Sequence, residues 1–269
     1  MLAFAKSMLH DKYKSFIVFS LGAVAFLEMY VALFPSISKQ SSQIDQMMKA
    51  FPPEFFKAFN MDPSLLSFKS LESYMSTEYM SFLWPILAII FAISMANYIA
   101  VREIDSGTIE IVSSLPVSRI RVFVERYLTG LLLIAGFSAV SLFGIIPLAL
   151  FHNIDYASAN YLTASIGSFF FVWAVYSLAT LPSVIFSEKN KSTAVTSGIL
   201  MLMYVINIIS SLQDNLKGLR YFSFFNYFIG SELLAKNSYP KYVFLALGGF
   251  ATAVTIVALI WYKRRDLSV

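Results

Sequence analysis

Six apolar runs in this chain are each long enough to cross a lipid bilayer, and they leave it little choice of architecture. A helix needs about 20 mainly apolar residues to cross ~30 Å of hydrocarbon. The runs Phe16–Phe34, Tyr79–Val101, Tyr127–Leu150, Tyr161–Phe186, Thr193–Leu212 and Tyr242–Tyr262 meet that requirement. They predict an all-α membrane protein with six transmembrane helices, occupying residues 1–269 as one transmembrane domain. Composition agrees: charged residues make up 13% of the chain, where soluble domains carry roughly 25%.

An even number of spans puts both termini on one side, and the placement of Lys and Arg chooses which. Positive charge favours short cytoplasmic segments. The segments assigned inside hold Lys6, Lys12 and Lys14, then Arg102, Arg119, Arg121 and Arg126, then Lys189 and Lys191, then Lys263, Arg264 and Arg265. The short loop assigned outside, Phe151–Asn160, has no Lys or Arg. Both termini are therefore expected in the cytoplasm. A cleaved leader ending near Ser36-x-Ser38 competes for the N-terminus, but its apolar stretch is too long and Glu28 interrupts it. Leu2, Ala5, Leu9, Tyr13 and Phe16 recur at helical spacing, with the basic residues mostly elsewhere around the wheel. That pattern predicts a short amphipathic helix over residues 1–15, lying on the inner membrane surface.

Several chemistries are excluded. Cysteine is absent, which removes disulfides and thiolate sites. No G-x-x-x-x-G-K-[ST] phosphate loop occurs, and Lys191-Ser192 lacks the preceding glycines. Histidine occurs only at 10 and 152, which leaves no zinc motif and no Ser-His-Asp triad. No dense basic run interleaved with aromatics suggests nucleic-acid binding. The chain is expected to have no catalytic residues, no metal site and no cofactor of its own.

The longest inner break between spans runs over residues 102–126. The break holds Arg102-Glu103-Ile104-Asp105-Ser106-Gly107-Thr108-Ile109-Glu110, then Ser114-Leu115-Pro116-Val117-Ser118-Arg119, then Glu125-Arg126-Tyr127. Asp105 or Ser106 can cap a helix start, with Gly107 allowing a tight entry. Ile109, Val112 and Leu115 would share a face suited to a groove on a partner, and Pro116 would stop the helix. Ser118 is a candidate cap for the third span, and Arg121 can pair with Glu125 one turn on. An ordinary loop with local ion pairs is the plainer alternative.

Ionisable groups at membrane depth are costly and mark functional candidates. Glu28 is the one evident within a span; a role with cargo, a structural hydrogen bond and an interfacial position all remain open for it. Asn97 and Asn207 fit either a translocation path or interhelical hydrogen bonding. Trp84-Pro85 should kink the second span. Gly248/Thr252 and Gly249/Ala253 give the last span small-xxx-small spacing.

Two outer loops carry more than a connection. Residues 35–78 include Pro53-Glu54-Phe55-Phe56-Lys57-Ala58-Phe59, which predicts an interfacial helix. Residues 213–241 include the aromatic run Tyr221-Phe222-Ser223-Phe224-Phe225-Asn226-Tyr227-Phe228, too short to span. A run of that length predicts a re-entrant or interfacial segment before the sixth span.

The loop Pro53–Phe59 leading through Tyr74-Met75-Ser76-Thr77-Glu78-Tyr79, the cassette Glu103-x-x-x-Gly107-Thr108-Ile109-Glu110 with Ser114-Leu115-Pro116-Val117-Ser118-Arg119, and the aromatic run together resemble the permeases of the ATP-binding-cassette type-2 exporter family. The likeness covers nearly the whole chain. One departure is Ser223-Phe224-Phe225, where members often have Ser-Pro-Phe. The resemblance implies a multi-pass protein of a prokaryotic plasma membrane, paired with a second permease copy and surrounded by membrane lipids. A cytoplasmic ATPase dimer would bind the ATP and Mg. Arg102, Glu103, Gly107, Thr108, Ile109, Glu110, Leu115, Pro116 and Arg119 would couple to that ATPase, in a segment that holds a coupling helix between spans two and three. Glu28, Asn97, Asn207, Phe224 and Phe225 would be path candidates. The family exports lipids, glycans, drugs, peptides or ions; because Glu28 is the one carboxylate evident within a span, an amphipathic peptide, lipid or drug is the expected cargo, and an ion exporter, or a scaffold or sensor that moves nothing, are the alternatives.

Overall fold

The computed structural model describes residues 3–48, 50–58, 68–105, 107 and 116–265. Six helices among them are long and apolar enough to cross a membrane. We label these α1 (Ala3–Lys39), α2 (Leu71–Ala96), α3 (Arg119–Phe151), α4 (Ser158–Ile185), α5 (Lys189–Leu212) and α6 (Phe244–Arg264). No strand occurs among the described residues. The helices run alternately up and down, so one end of the bundle collects Arg102, Arg119, Arg126, Lys189 and Lys263. We call it the basic end, and the opposite one the far end.

The centre of the bundle is α4, which packs on α2, α3, α5 and α6. Its buried residues run almost around its circumference, from Tyr161 to Val184. A helix apolar on every side is stable only when protein or lipid covers each side, and here α4 has the protein. Close approach needs small residues at the contacts. At Gly130 of α3, a Cβ atom would lie 2.1 Å from the Tyr176 hydroxyl of α4. Gly248 of α6 sits against Phe170 and Trp173 of α4. Its neighbour Gly249 meets nothing, so only the first of the two expected glycine contacts packs α6 against the rest of the bundle.

Polar links fix the register of this core. The indole nitrogen of Trp173 donates to the Tyr127 hydroxyl at 2.8 Å. That hydroxyl also lies 2.8 Å from Ser177 Oγ and 2.7 Å from Thr255 Oγ1. Three helices, α3, α4 and α6, therefore meet at one phenol.

Two expectations about the first half of the chain need correction. The basic N-terminus is not a separate surface helix: α1 continues without a break for 37 residues, roughly 55 Å. It also passes through Pro35, whose ring leaves only the Val31 carbonyl without its donor, close to the helix end. The second span begins at Leu71, eight residues before Tyr79, and so takes in Glu72 and Glu78. Glu72 is buried there, and its Oε1 accepts from the Ala157 backbone N–H at 2.7 Å.

The expected disturbance at Trp84-Pro85 takes the form of a widened helix. Residues Ser76–Leu83 wind as π-helix, and the Trp84 amide bonds back five residues to the Tyr79 carbonyl. Proline cannot donate to the residue four before it, and the wider turn eases its ring past that carbonyl. Short helices Ser41–Met48 and Pro53–Ala58 follow α1, the second resting on α5. Residues 213–241 form short 3-10 and π turns, with Phe228 stacked on Trp84 at 5.3 Å and Phe171 at 4.5 Å. The middle part, residues 223–235, is buried or half-buried, whereas Leu219, Tyr221, Phe222 and Tyr239 on either side are exposed.

Candidate functional site

Two regions bring the predicted site residues together: the basic end, and a cavity between α2 and α5.

At the basic end, α2 stops at Ala96 and a tight turn leads into a short helix, Val101–Asp105. Asn97, at the stop, is fully engaged: its amide nitrogen donates to Thr193 Oγ1 at 2.9 Å and its oxygen accepts from Ser192 at 3.0 Å. It fastens α2 to the start of α5 and does not line the cavity. Glu103 forms a two-pronged ion pair with Arg126 of α3. Arg126 has a side chain only 4% exposed, and it also donates to the Ile99 carbonyl at 2.9 Å. Its Nε alone keeps no partner. The guanidinium lies over the rings of Phe4 and Tyr98.

A second link ties the same stretch to α1. Arg102 donates to Asp11 at 2.8 Å and stacks over Tyr98, whose hydroxyl donates to the same carboxylate at 2.8 Å. The Asp11 hydrogen bond holds the Arg102 guanidinium above its usual pKa, and burial pushes the Tyr98 phenol up. On α3, Ser118 caps the helix by accepting from the Arg121 amide, and Arg121 pairs with Glu125 at 2.8 Å. Both were expected. Glu125 also accepts from the Phe4 amide at 3.1 Å. Arg119 donates to the Arg265 carbonyl, and Arg265 in turn holds Val184, Phe186 and Ser187 at the end of α4.

Gly107 has φ +69°, the left-handed conformation that its lack of a side chain permits. The Asp105 carboxylate accepts from the Lys189 amide at 3.4 Å, at the start of α5, and the helix it was expected to cap lies outside the described residues. Pro116 is exposed. Thr108, Ile109, Glu110 and Leu115, and with them the expected apolar face and coupling helix, lie outside the described residues.

Sequence reasoning had not matched Glu103 with Arg126, although a signal was present. Arg126 shares a helical face with Val122, Phe123, Thr129, Gly130 and Leu133, all buried or nearly so. An arginine on an apolar face requires a carboxylate, and Glu103 sits at the other end of the cassette.

The cavity holds about 350 Å³. Met80, Leu200, Asn207 and Phe228 form its buried wall, and Phe225 closes it from the irregular segment. Ser197, Leu200, Tyr204 and Asn207 are spaced three to four apart, so they fall on one face of α5. Phe224 is elsewhere, buried against Phe250 of α6. Glu28 is elsewhere too: its Oε1 pairs with His152 Nε2 at 2.8 Å, joining α1 to the far end of α3. Of the five path candidates, the structure brings only Asn207 and Phe225 together.

The described residues hold no cluster of three or more potential metal ligands. No curated protein matches the chain. A family model described as "ABC-2 family transporter protein" does match, over residues 6–267. With six helices able to span a bilayer and a match over nearly its whole length, this multi-pass membrane permease belongs to the ABC-2 family of transporters.

Proposed function

We propose that the chain is the permease subunit of an ATP-driven exporter in the plasma membrane, working as a dimer that forms the translocation path. Permeases of this family generally work with separate ABC ATPases, and the ATP and Mg would be bound there. The basic end faces the cytoplasm, and the segment between α2 and α3 is the part the ATPases engage. Cargo is an amphipathic peptide, lipid or drug.

One observation carries this reading: both stems of the 102–126 segment are bonded to the bundle. Glu103 holds Arg126, Arg102 holds Asp11, and Arg119 holds the Arg265 carbonyl. Force applied between the stems therefore reaches α1, α3 and α6 as a rigid displacement. A plain connecting loop would not need three separate straps.

A second reading, an ion exporter, gains from Glu78. It is half-buried in α2 beside Tyr30 and Tyr74, and no hydrogen bond to it is found among the described residues. Glu28 and Glu72, by contrast, each have one oxygen engaged, by His152 and by the Ala157 amide.

Affinity purification from native membranes in mild detergent tests the main reading. Co-purification of a phosphate-loop ATPase at stoichiometric yield is expected; recovery without one contradicts it. Glu110→Lys should leave membrane insertion intact and uncouple ATP hydrolysis from transport. Wild-type transport by that variant would retire the coupling role, and sodium-stimulated hydrolysis lost in Glu78→Gln would favour the ion reading.

A further inference from the structure

We infer that the far end of the bundle carries a binding site for the phosphate of an anionic lipid, formed by Arg220 and Lys241 together with the Tyr221 phenol. The inference goes beyond the export reading and does not depend on it.

The site begins with the short helix that follows α5. Residues Asp214–Phe222 wind as a 3-10 helix, in which side chains three apart stand in one row. Leu216, Leu219 and Phe222 make an apolar row; Leu219 and Phe222 are exposed, Phe222 by 73%. Lys217 and Arg220 fall in a second row, Gly218 and Tyr221 in the third. A bare apolar edge beside a basic one suits a membrane interface, the first among acyl chains and the second among headgroups. The helix is placed for this, since it starts just past Leu212, where α5 ends. The head of α6 adds apolar surface of its own, with Phe244 and Leu245 both exposed.

Two cations then act on one phenol. Arg220 donates to the Tyr221 hydroxyl at 3.3 Å and lies 5.2 Å from the centre of its ring. Its hydrogen bond and charge, followed by the charge of Lys241, hold the Tyr221 phenol below its usual pKa. Neither cation is paired with a carboxylate among the described residues. A potential that favours an ionised phenol favours any oxyanion beside it. A lipid phosphate supplies such oxygens and accepts the hydrogen bonds that guanidinium, ammonium and phenol donate.

The backbone holds these groups in place. The Tyr227 hydroxyl donates to the Tyr221 carbonyl at 3.2 Å, which ties the short helix to the half-buried middle of the segment. Tyr242 has φ +64°, an outlier for so bulky a residue. Such strain persists only where the surroundings enforce it. Here it falls at the entry to α6, with the Lys241 ammonium 4.9 Å from the Tyr242 ring.

A soluble anion would leave the apolar row bare. A zwitterionic lipid brings its own cation to compete with Arg220 and Lys241. The occupant is therefore a lipid whose headgroup carries net negative charge.

The test uses the full chain in phosphatidylcholine nanodiscs. A Cβ at Gly218 would meet nothing within 4 Å, and the chain has no cysteine, so Gly218→Cys gives one thiol to carry a fluorophore. Lipids with a quenching doxyl group high on one acyl chain are titrated in, phosphatidylglycerol in one arm and phosphatidylcholine in the other. The glycerol lipid should show roughly thirtyfold higher apparent affinity, about fivefold from each cation near the surface. Arg220→Gln or Lys241→Gln should each lower the preference to about fivefold, and the double variant should remove it. Lys241→Arg, which keeps the charge, should keep the preference.

Equal quenching by the two lipids in the wild type overturns the inference, as does a preference that survives the double variant. Quenching by neither lipid overturns it in favour of a protein surface, such as a second copy, covering the patch. Loss of the preference to inorganic phosphate at constant ionic strength overturns it in favour of a soluble anion.

Discussion

The basic end and the α2–α5 cavity both contain buried polar side chains, but they treat them in opposite ways. At the basic end Glu103, Arg126, Asp11 and Arg102 are engaged with one another and with nearby carbonyls. Beside the cavity, which Asn207 helps to line, the Asn207 amide oxygen is buried without a hydrogen-bond partner. A bonded network holds helices in one arrangement, even with one buried donor, Arg126 Nε, left over; an unsatisfied acceptor with no such network around it is a plain cost. The contrast separates a part held by bonded ion pairs from a part lined almost wholly by apolar side chains.

Substitutions sharpen that contrast, beginning with the largest effect. Glu103→Ala strands a nearly buried guanidinium and should destabilise the protein by about 3–5 kcal/mol, read as a lowered thermal midpoint in detergent. Leucine at both 103 and 126 should recover most of the loss, because the burial penalty then disappears along with the pair. Loss of stability in the double variant equal to that in Glu103→Ala would mean the pair is not the cause. Tyr127→Phe removes the hydroxyl that α3, α4 and α6 share. In membranes such bonds contribute about 0.6–2 kcal/mol, and a drop of that size in the same assay is expected.

His152→Leu should matter less. Its partner Glu28 is 40% exposed, and exposed pairs contribute about 0–1 kcal/mol, so the midpoint should move by no more than a few degrees. The smallest effect belongs to Asn207→Leu. It removes no hydrogen bond from its side-chain oxygen, so stability should stay within about 0.5 kcal/mol or rise slightly. A large loss there would erase the distinction between the two regions.

Much of the architecture could be read from the residues. All six spans were expected, and those ending at Phe186 and Leu212 were located within a few positions. The Ser118 cap, the Arg121–Glu125 pair and the special backbone of Gly107 also followed from spacing alone, because each depends on neighbours within one turn. The misses involve partners distant in sequence. Glu72 and Glu78 suggested a loop, since nothing nearby in sequence shows that the Ala157 amide would receive Glu72. The N-terminal pattern of α1 suggested a surface helix because the bonds from Phe4 to Glu125 and from Asp11 to Arg102 join residues about a hundred positions apart. Asn97 and Asn207 were indistinguishable as sequence. Only the placement of Ser192 and Thr193 beside one, and of open space beside the other, tells them apart.

The central claim is that the 102–126 segment faces the cytoplasm as the surface a nucleotide-driven partner grips. The chain has no cysteine, so Pro116→Cys gives a single thiol at an exposed position of that segment. A membrane-impermeant maleimide should label it in inverted membrane vesicles, leave it unlabelled in intact cells, and label it less when the ATPase is locked by a non-hydrolysable nucleotide. Labelling in intact cells, or labelling indifferent to the nucleotide, would contradict the account.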